Sequence, residues 1–283
     1  MRTIRYIMTA LALLALPAMS RAQHIVTDTI KPERIVVSSS QFGVTLLDNL
    51  DTYLSNYSHK GLGLNYAHEV FRNARTGNYK WKYQRLFNAT AGYAIQGGNL
   101  QVTALASQSW SGFHAFEVAK GLTLLAGAQI QLEGGALYSL SNGNNPVAAK
   151  LRTALAASGM TIYRFPVRRS EWTALYQLDI PLAGIMFAPE FGQSYYEIFG
   201  LGHAKGIIAF THPGNNPSWR HTLSLDIPIK NTTLRIAYVA DIYQSRINDI
   251  NCHIYRNTFS FGFTRTIFKI KRNNRLNAYS PYQ

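Results

Sequence analysis

The sequence predicts an all-β fold, an antiparallel transmembrane β-barrel of twelve strands. Three observations predict it. Charged residues make up only 15% of the chain, against about a quarter in ordinary soluble domains, while aromatics reach 12%. Several segments alternate apolar and polar residues over ten or more positions. Strands of soluble sheets run to about five or six residues, whereas a membrane-crossing strand needs about nine to eleven. After residue 22 no apolar run of about 18 residues occurs, so no transmembrane helix is expected.

The N-terminus comes first. Arg2 and Arg5 precede an apolar run from Ile7 to Leu16, interrupted only by Thr9. Pro17 breaks the run, and Ser20-Arg21-Ala22 sets small residues where a signal peptidase reads. Residues 1–22 are therefore expected to be a signal peptide and 23–34 a periplasmic extension. Residues 35–270 form the barrel, and 271–283 a basic tail with Lys271, Arg272 and Arg275 and a near-terminal Tyr282. The chain has 28 Lys and Arg against 14 Asp and Glu. Such a surplus can mark nucleic-acid binding. With an export signal it points instead to a bacterial outer membrane, with lipid and lipopolysaccharide phosphates and the barrel-insertion machinery as partners and no nucleic acid.

The strand signal is a period of two. Residues 122–133 set Leu122, Leu124, Ala126, Ala128, Ile130 and Leu132 on one face. The same pattern recurs over 172–181, 219–229, 234–243 and 255–267. Rougher strands are expected near 35–46, 60–72, 79–95, 100–116, 147–163 and 200–210. Turn signals separate several of them, among them Thr76-Gly77-Asn78, Gly97-Gly98-Asn99, Lys120-Gly121 and Asn231-Thr232. Because single-chain bacterial barrels usually have an even strand number, a twelfth strand is expected within 182–200 or 46–60. Tyr79, Trp81, Trp172 and Trp219 stand at segment ends as interface girdles. Arg85 falls on the apolar face of its strand, which a bulge or a place outside the hydrocarbon band would explain. Leu178-Asp179-Ile180-Pro181 and Leu225-Asp226-Ile227-Pro228 echo one another, each with Pro expected at a strand end.

The polar faces carry the charges. Glu69, Glu133, Asp179, Asp226, Arg235, Asp241 and Arg256 are expected to line the lumen. A charge facing lipid near the midplane costs about 2–4 kcal/mol, and a slip of one residue would expose Asp226 and Arg220 together.

Catalytic and metal motifs are missing. The eight His residues are scattered, Cys252 is alone, and no cofactor is expected. His221 lies on the apolar face, whereas Ser224 and Asp226 lie on the other, so no catalytic triad forms and no enzyme activity is expected. The segment from Leu182 to Gly202 is dense in aromatics. It is either the missing strand or a lid over the mouth built on Phe187, Glu190, Tyr195, Tyr196 and Glu197.

The stretches Leu178 to Gly184, Met186 to Glu190 and Gly192 to Phe199 resemble a family of secreted bacterial proteins of unknown function. The resemblance implies an outer-membrane location and carries no activity. The leading expectation is a narrow passive pore for small solutes. The alternatives are a surface-binding or scaffold barrel using 182–202, and a lipid-modifying enzyme.

Overall fold

The computed structural model describes residues 34–74, 80–143, 145–229 and 232–269. The expected signal peptide, the extension up to residue 33 and the basic tail lie outside the described residues. So do Tyr79, the Thr76-Gly77-Asn78 turn and Asn231.

Eleven strands and one short helix are described: β1 (Arg34–Asp51), β2 (Ser55–Asn73), β3 (Trp81–Gln96), β4 (Asn99–Ala119), β5 (Leu122–Ser139), β6 (Val147–Val167), β7 (Ser170–Phe187), α1 (Tyr195–Phe199), β8 (Ile208–Thr211), β9 (Trp219–Ile229), β10 (Thr232–Ile247) and β11 (Ile250–Lys269). Neighbours pair antiparallel in the order β6-β5-β4-β3-β2-β1-β11-β10-β9-β7, and β6 pairs with β7. Ten strands thus close a barrel, and β8 is an extra strand on β7. Closure joins the ten strands into a ring without a free edge, as lipid demands, and the short β8 has a strand partner on one side.

The count of twelve is therefore corrected. Residues 46–51 finish β1 and 55–60 begin β2, around a tight turn at 52–54. Residues 182–187 finish β7, and the strand expected at 200–210 shrinks to β8. Thr52-Tyr53-Leu54 contains neither Gly nor Pro, so no turn signal divided the two strands. By contrast, Gly97 and Gly98 take φ of 56° and 84° in the β3–β4 turn, as a two-residue hairpin with both central residues left-handed requires.

Burial alternates along each strand. In β1, Ser39, Gln41, Thr45, Asn49 and Asp51 are buried while Phe42, Val44 and Leu46 are exposed. The outward faces of β5 and β9 carry apolar side chains such as Leu124, Ile130, Leu132 and Leu223 and no carboxylate, Lys or Arg. A polar interior and an apolar exterior invert the usual globular arrangement and match a lipid-facing wall. Trp81 packs edge-on to His114, and Tyr163, Phe165 and Trp172 follow one another near the end where β1 starts and β11 finishes, called here the terminal end. Arg85 faces outward, four residues from the start of β3. The β2–β3 and β3–β4 registers run unbroken past it. No bulge accounts for Arg85, and its place near the terminal end does.

The wall has one irregular seam. β7 pairs with β9 from Thr173 to Asp179 and with β8 from Gly184 to Phe187. Between β8 and β9, residues 212–218 step sideways to β10. Arg246 N donates to Asn215 O at 2.9 Å, and Asn216 Nδ2 donates to Gln244 O at 2.6 Å. Pro181 sits inside β7, where the register with β6 shifts between Leu155 and Ala156. The expected strand end at Pro181 is thus a mid-strand bulge, a position that likewise tolerates a missing N–H. Pro228 stands next to the last residue of β9.

Candidate functional site

The lumen is built from alternate residues of the ten barrel strands, and long polar side chains fill it. Eight strands already enclose just enough space for side chains to fill. Ten need longer ones, and this sequence supplies Arg, Glu and Gln at inward positions.

Arg256 on β11 donates through Nη2 to Glu133 on β5 at 2.7 Å and to Asp241 on β10 at 2.8 Å. Arg152 Nε reaches Glu133 at 3.0 Å, and Arg220 Nη2 reaches Asp241 at 2.6 Å. Three guanidinium groups thus share two carboxylates. In the ring order β5 and β11 stand five places apart among ten, on opposite walls. The Arg256–Glu133 bond therefore spans the lumen.

A second group lies nearer the terminal end. Arg235 grips Asp226 with two bonds of 2.6 and 2.7 Å and also pairs with Glu69. Asp179 belongs to neither group. It is bonded to Ser158 and accepts from Gln177 Nε2 at 2.9 Å. Gln177 continues to Gln84 on β3 at 2.8 Å. All seven residues expected to line the lumen face inward, six of them in two ion-pair groups. Arg152, Arg220 and the buried Lys150–Asp51 pair were not among them. Their signal was present: Ala148, Lys150, Arg152 and Ala154 alternate on one face of β6, and Arg220 lies on the polar face of β9.

The opposite end, called here the capped end, is closed. Residues 188–207 fold over it with α1 at their centre. Ser194 caps α1: Glu197 N donates to Ser194 Oγ at 3.2 Å and Ser194 N donates back to Glu197 Oε2 at 2.7 Å. Bonds from the Ser194 backbone and hydroxyl hold the Glu197 carboxyl below its ordinary range. The rings of Phe187, Tyr195 and Phe199 stack with interplanar angles of 13° or less. Several hydrogen bonds fasten this cap to neighbouring strands and turns. Tyr53 OH donates to Gln193 O at 2.7 Å, Ala149 N donates to Tyr195 OH at 2.7 Å, and Asn248 Nδ2 donates to Ala188 O at 2.6 Å. Beneath lies an apolar plug that includes Leu105, Leu137, Met186, Tyr243 and Cys252. Burial, reinforced by Tyr195 and Asp51, pushes the Tyr53 phenol up to about 12. Of the five expected lid residues, Phe187 ends β7, Tyr195 is the half-buried anchor, and Glu197 caps the helix. Glu190 and Tyr196 are exposed. The segment divides: its start completes β7, and the rest is a lid.

The terminal end is hollow. A cavity of about 820 Å³ opens there, with Phe71, Leu125, Met160, Ile162 and Leu175 among its lining residues and Lys80, Lys82 and Arg164 toward its mouth. On the outer wall His221 Nδ1 bonds Tyr176 OH at 2.7 Å, while Ser224 is buried on the other face. Among the described residues no group of three or more His, Cys, Asp and Glu could hold a metal ion.

The sequence matches the family described as "Protein of unknown function (DUF3316)" over residues 6–274. The chain belongs to this family. The match extends well beyond residues 178–199, on which the resemblance rested. No curated protein matches the chain. Similar solved structures include the outer membrane protease OmpT from Escherichia coli, at 8% identity and a TM-score of 0.47, covering 86% of this chain and 99% of that one. Neisserial surface protein A is 10% identical with a TM-score of 0.31, covering 80% and 95%. An outer membrane channel from Pseudomonas putida F1 is 8% identical with a TM-score of 0.39, covering 88% and 100%.

Proposed function

We propose that this family member is a sealed barrel of the bacterial outer membrane that works at its capped face rather than by passing solutes. The observation that carries this reading is the Arg256–Glu133 bond between opposite walls, with further layers above and below it. A passive pore needs lumen charges free to meet water and solute. Here they are spent on one another. The apolar outer face and the export-type N-terminus support the membrane location, with lipid and lipopolysaccharide around the wall. A lipid-modifying enzyme draws less support: among the described residues Ser58 and His253 both bond Asp48, which is not the serine–imidazole–carboxylate order of a triad.

Conductance tests the reading. The purified protein in planar bilayers should give no stable current steps. Steady conductance after each insertion would sink the proposal. Surface binding is the role favoured by the large apolar side chains the cap leaves exposed, Phe191, Tyr196, Phe199 and Leu201. Vesicles carrying Tyr196→Ser with Phe199→Ser should be retained less by an apolar matrix than wild-type vesicles. Both proteins should keep the gel shift between unheated and boiled samples.

A further inference from the structure

The terminal cavity is built unlike the rest of the lumen. Elsewhere inward charges are bonded, as in the Arg256 and Arg235 groups and at Asp179, which Ser158 and Gln177 hold. At this mouth Lys80 and Lys82 beside β4 and Arg164 on β6 make no ion pair within 4.0 Å among the described residues. Glu117 and Glu171 line the same cavity, and deeper in it Arg235 is shared by Glu69 and Asp226, so the whole lining is neutral and it is the mouth, with three free cations against two free carboxylates, that favours an anion. Below them the surface turns apolar at Leu125, Met160, Ile162 and Leu175, which cluster with the fully buried Phe113. Thr264 is 5% exposed and lines the cavity, and its Oγ1 is buried without a partner. The volume of about 820 Å³ falls in the range of small-molecule sites, about 300–1,000 Å³.

We infer that this cavity binds a single-chain amphiphile with an anionic head, its chain on the Leu125–Ile162 floor and its head held by Lys82 and Arg164. The head enters last and stays at the mouth, because a charge buried deeper would meet no free partner. The Arg235–Asp226–Glu69 group closes part of the inner wall, so the ligand enters and leaves by the terminal end. This inference concerns the end opposite the cap and stands whether or not the capped face binds a partner.

The test uses the whole protein in phosphatidylcholine nanodiscs, with empty nanodiscs as the background. The probe is dansyl-undecanoic acid, compared with its neutral methyl ester and with a dansyl-alkyl trimethylammonium. The acid should bind saturably and more tightly than the other two. Lys82→Gln with Arg164→Gln should weaken the acid about tenfold or more, the loss of a charge-assisted bond, and leave the ester unchanged. Ile162→Trp, which fills the floor, should weaken acid and ester alike. Heat-shifted migration on gels checks that each variant is folded. No saturable binding above empty nanodiscs overturns the inference, as does equal binding of the cationic probe or indifference of the acid to both sets of substitutions.

Discussion

The two ends of this lumen are made from the same strands and differ in how their polar groups are satisfied. At the capped end the Lys150–Asp51 pair is buried, an apolar plug surrounds it, and several hydrogen bonds fasten the cap above. At the terminal end cations stand around open space. Paired charges specify a structure and cost affinity for anything else. Unpaired ones leave affinity available. The difference teaches that occupancy of a barrel is decided layer by layer, not by strand number alone.

The sharpest way to break the comparison is to remove a paired cation and a free one. Arg256→Met leaves Glu133 and Asp241 buried with fewer partners and should destabilise the barrel by about 3–5 kcal/mol. Lys82→Met should change stability by less than about 0.5 kcal/mol. The urea midpoint for loss of the fast-migrating gel band measures both, and equal losses would erase the distinction between the ends. Next in size, Tyr195→Ala removes one of the three mutually packed rings and the acceptor for Ala149 N. It should cost about 2 kcal/mol and open residues 188–207 to protease while β1–β7 resist. Ser194→Ala removes the helix cap, worth about 1 kcal/mol, and should speed amide exchange within 195–199 only.

The smallest effect is one of pH. Because the Tyr53 phenol is raised in the folded protein, the unfolded chain gives up that proton first. The stabilisation is complete below the ordinary tyrosine value of 10.0 and is lost as pH rises through about 12. Protease cleavage of the cap should accelerate over that interval in the wild type and stay flat for Tyr53→Phe. A wild-type cap indifferent to alkali would show that the Tyr53–Gln193 bond does not fasten it.

Much of this architecture was legible because lipid outside and polar atoms inside enforce a strict period of two. Over 122–133 and 219–229 the faces read from sequence are the faces observed. The strand count failed where that rule was unmarked. Thr52-Tyr53-Leu54 turns the chain without Gly or Pro because Asp51 Oδ1 accepts from Tyr53 N at 3.1 Å and Leu54 N donates to Asp51 O at 2.9 Å. Residues 212–218 interrupt a strand position rather than add one; Pro213-Gly214-Asn215-Asn216-Pro217 marks a break there, but nothing local announces that the chain steps sideways. The inward direction of Glu133 and Arg256 was readable, but not that they meet, since 123 residues separate them. The mouth of the terminal cavity was missed because Lys80 and Lys82 lie at the start of one rough strand and Arg164 just past the end of another, and they gather only when the ring closes.

The Arg256–Glu133 bond also bears on assembly. β5 is made early in the chain and β11 last among the strands, so Glu133 waits for its cross-lumen partner until the final strand is in place. An incomplete barrel therefore holds Glu133 with Arg152 alone and Asp241 with Arg220 alone, and it differs from the finished one in lacking the guanidinium that ties the two pairs together across the lumen. Closure is registered at the centre of the molecule as well as along its seam, and a wall joined in the wrong register carries its error as a buried charge.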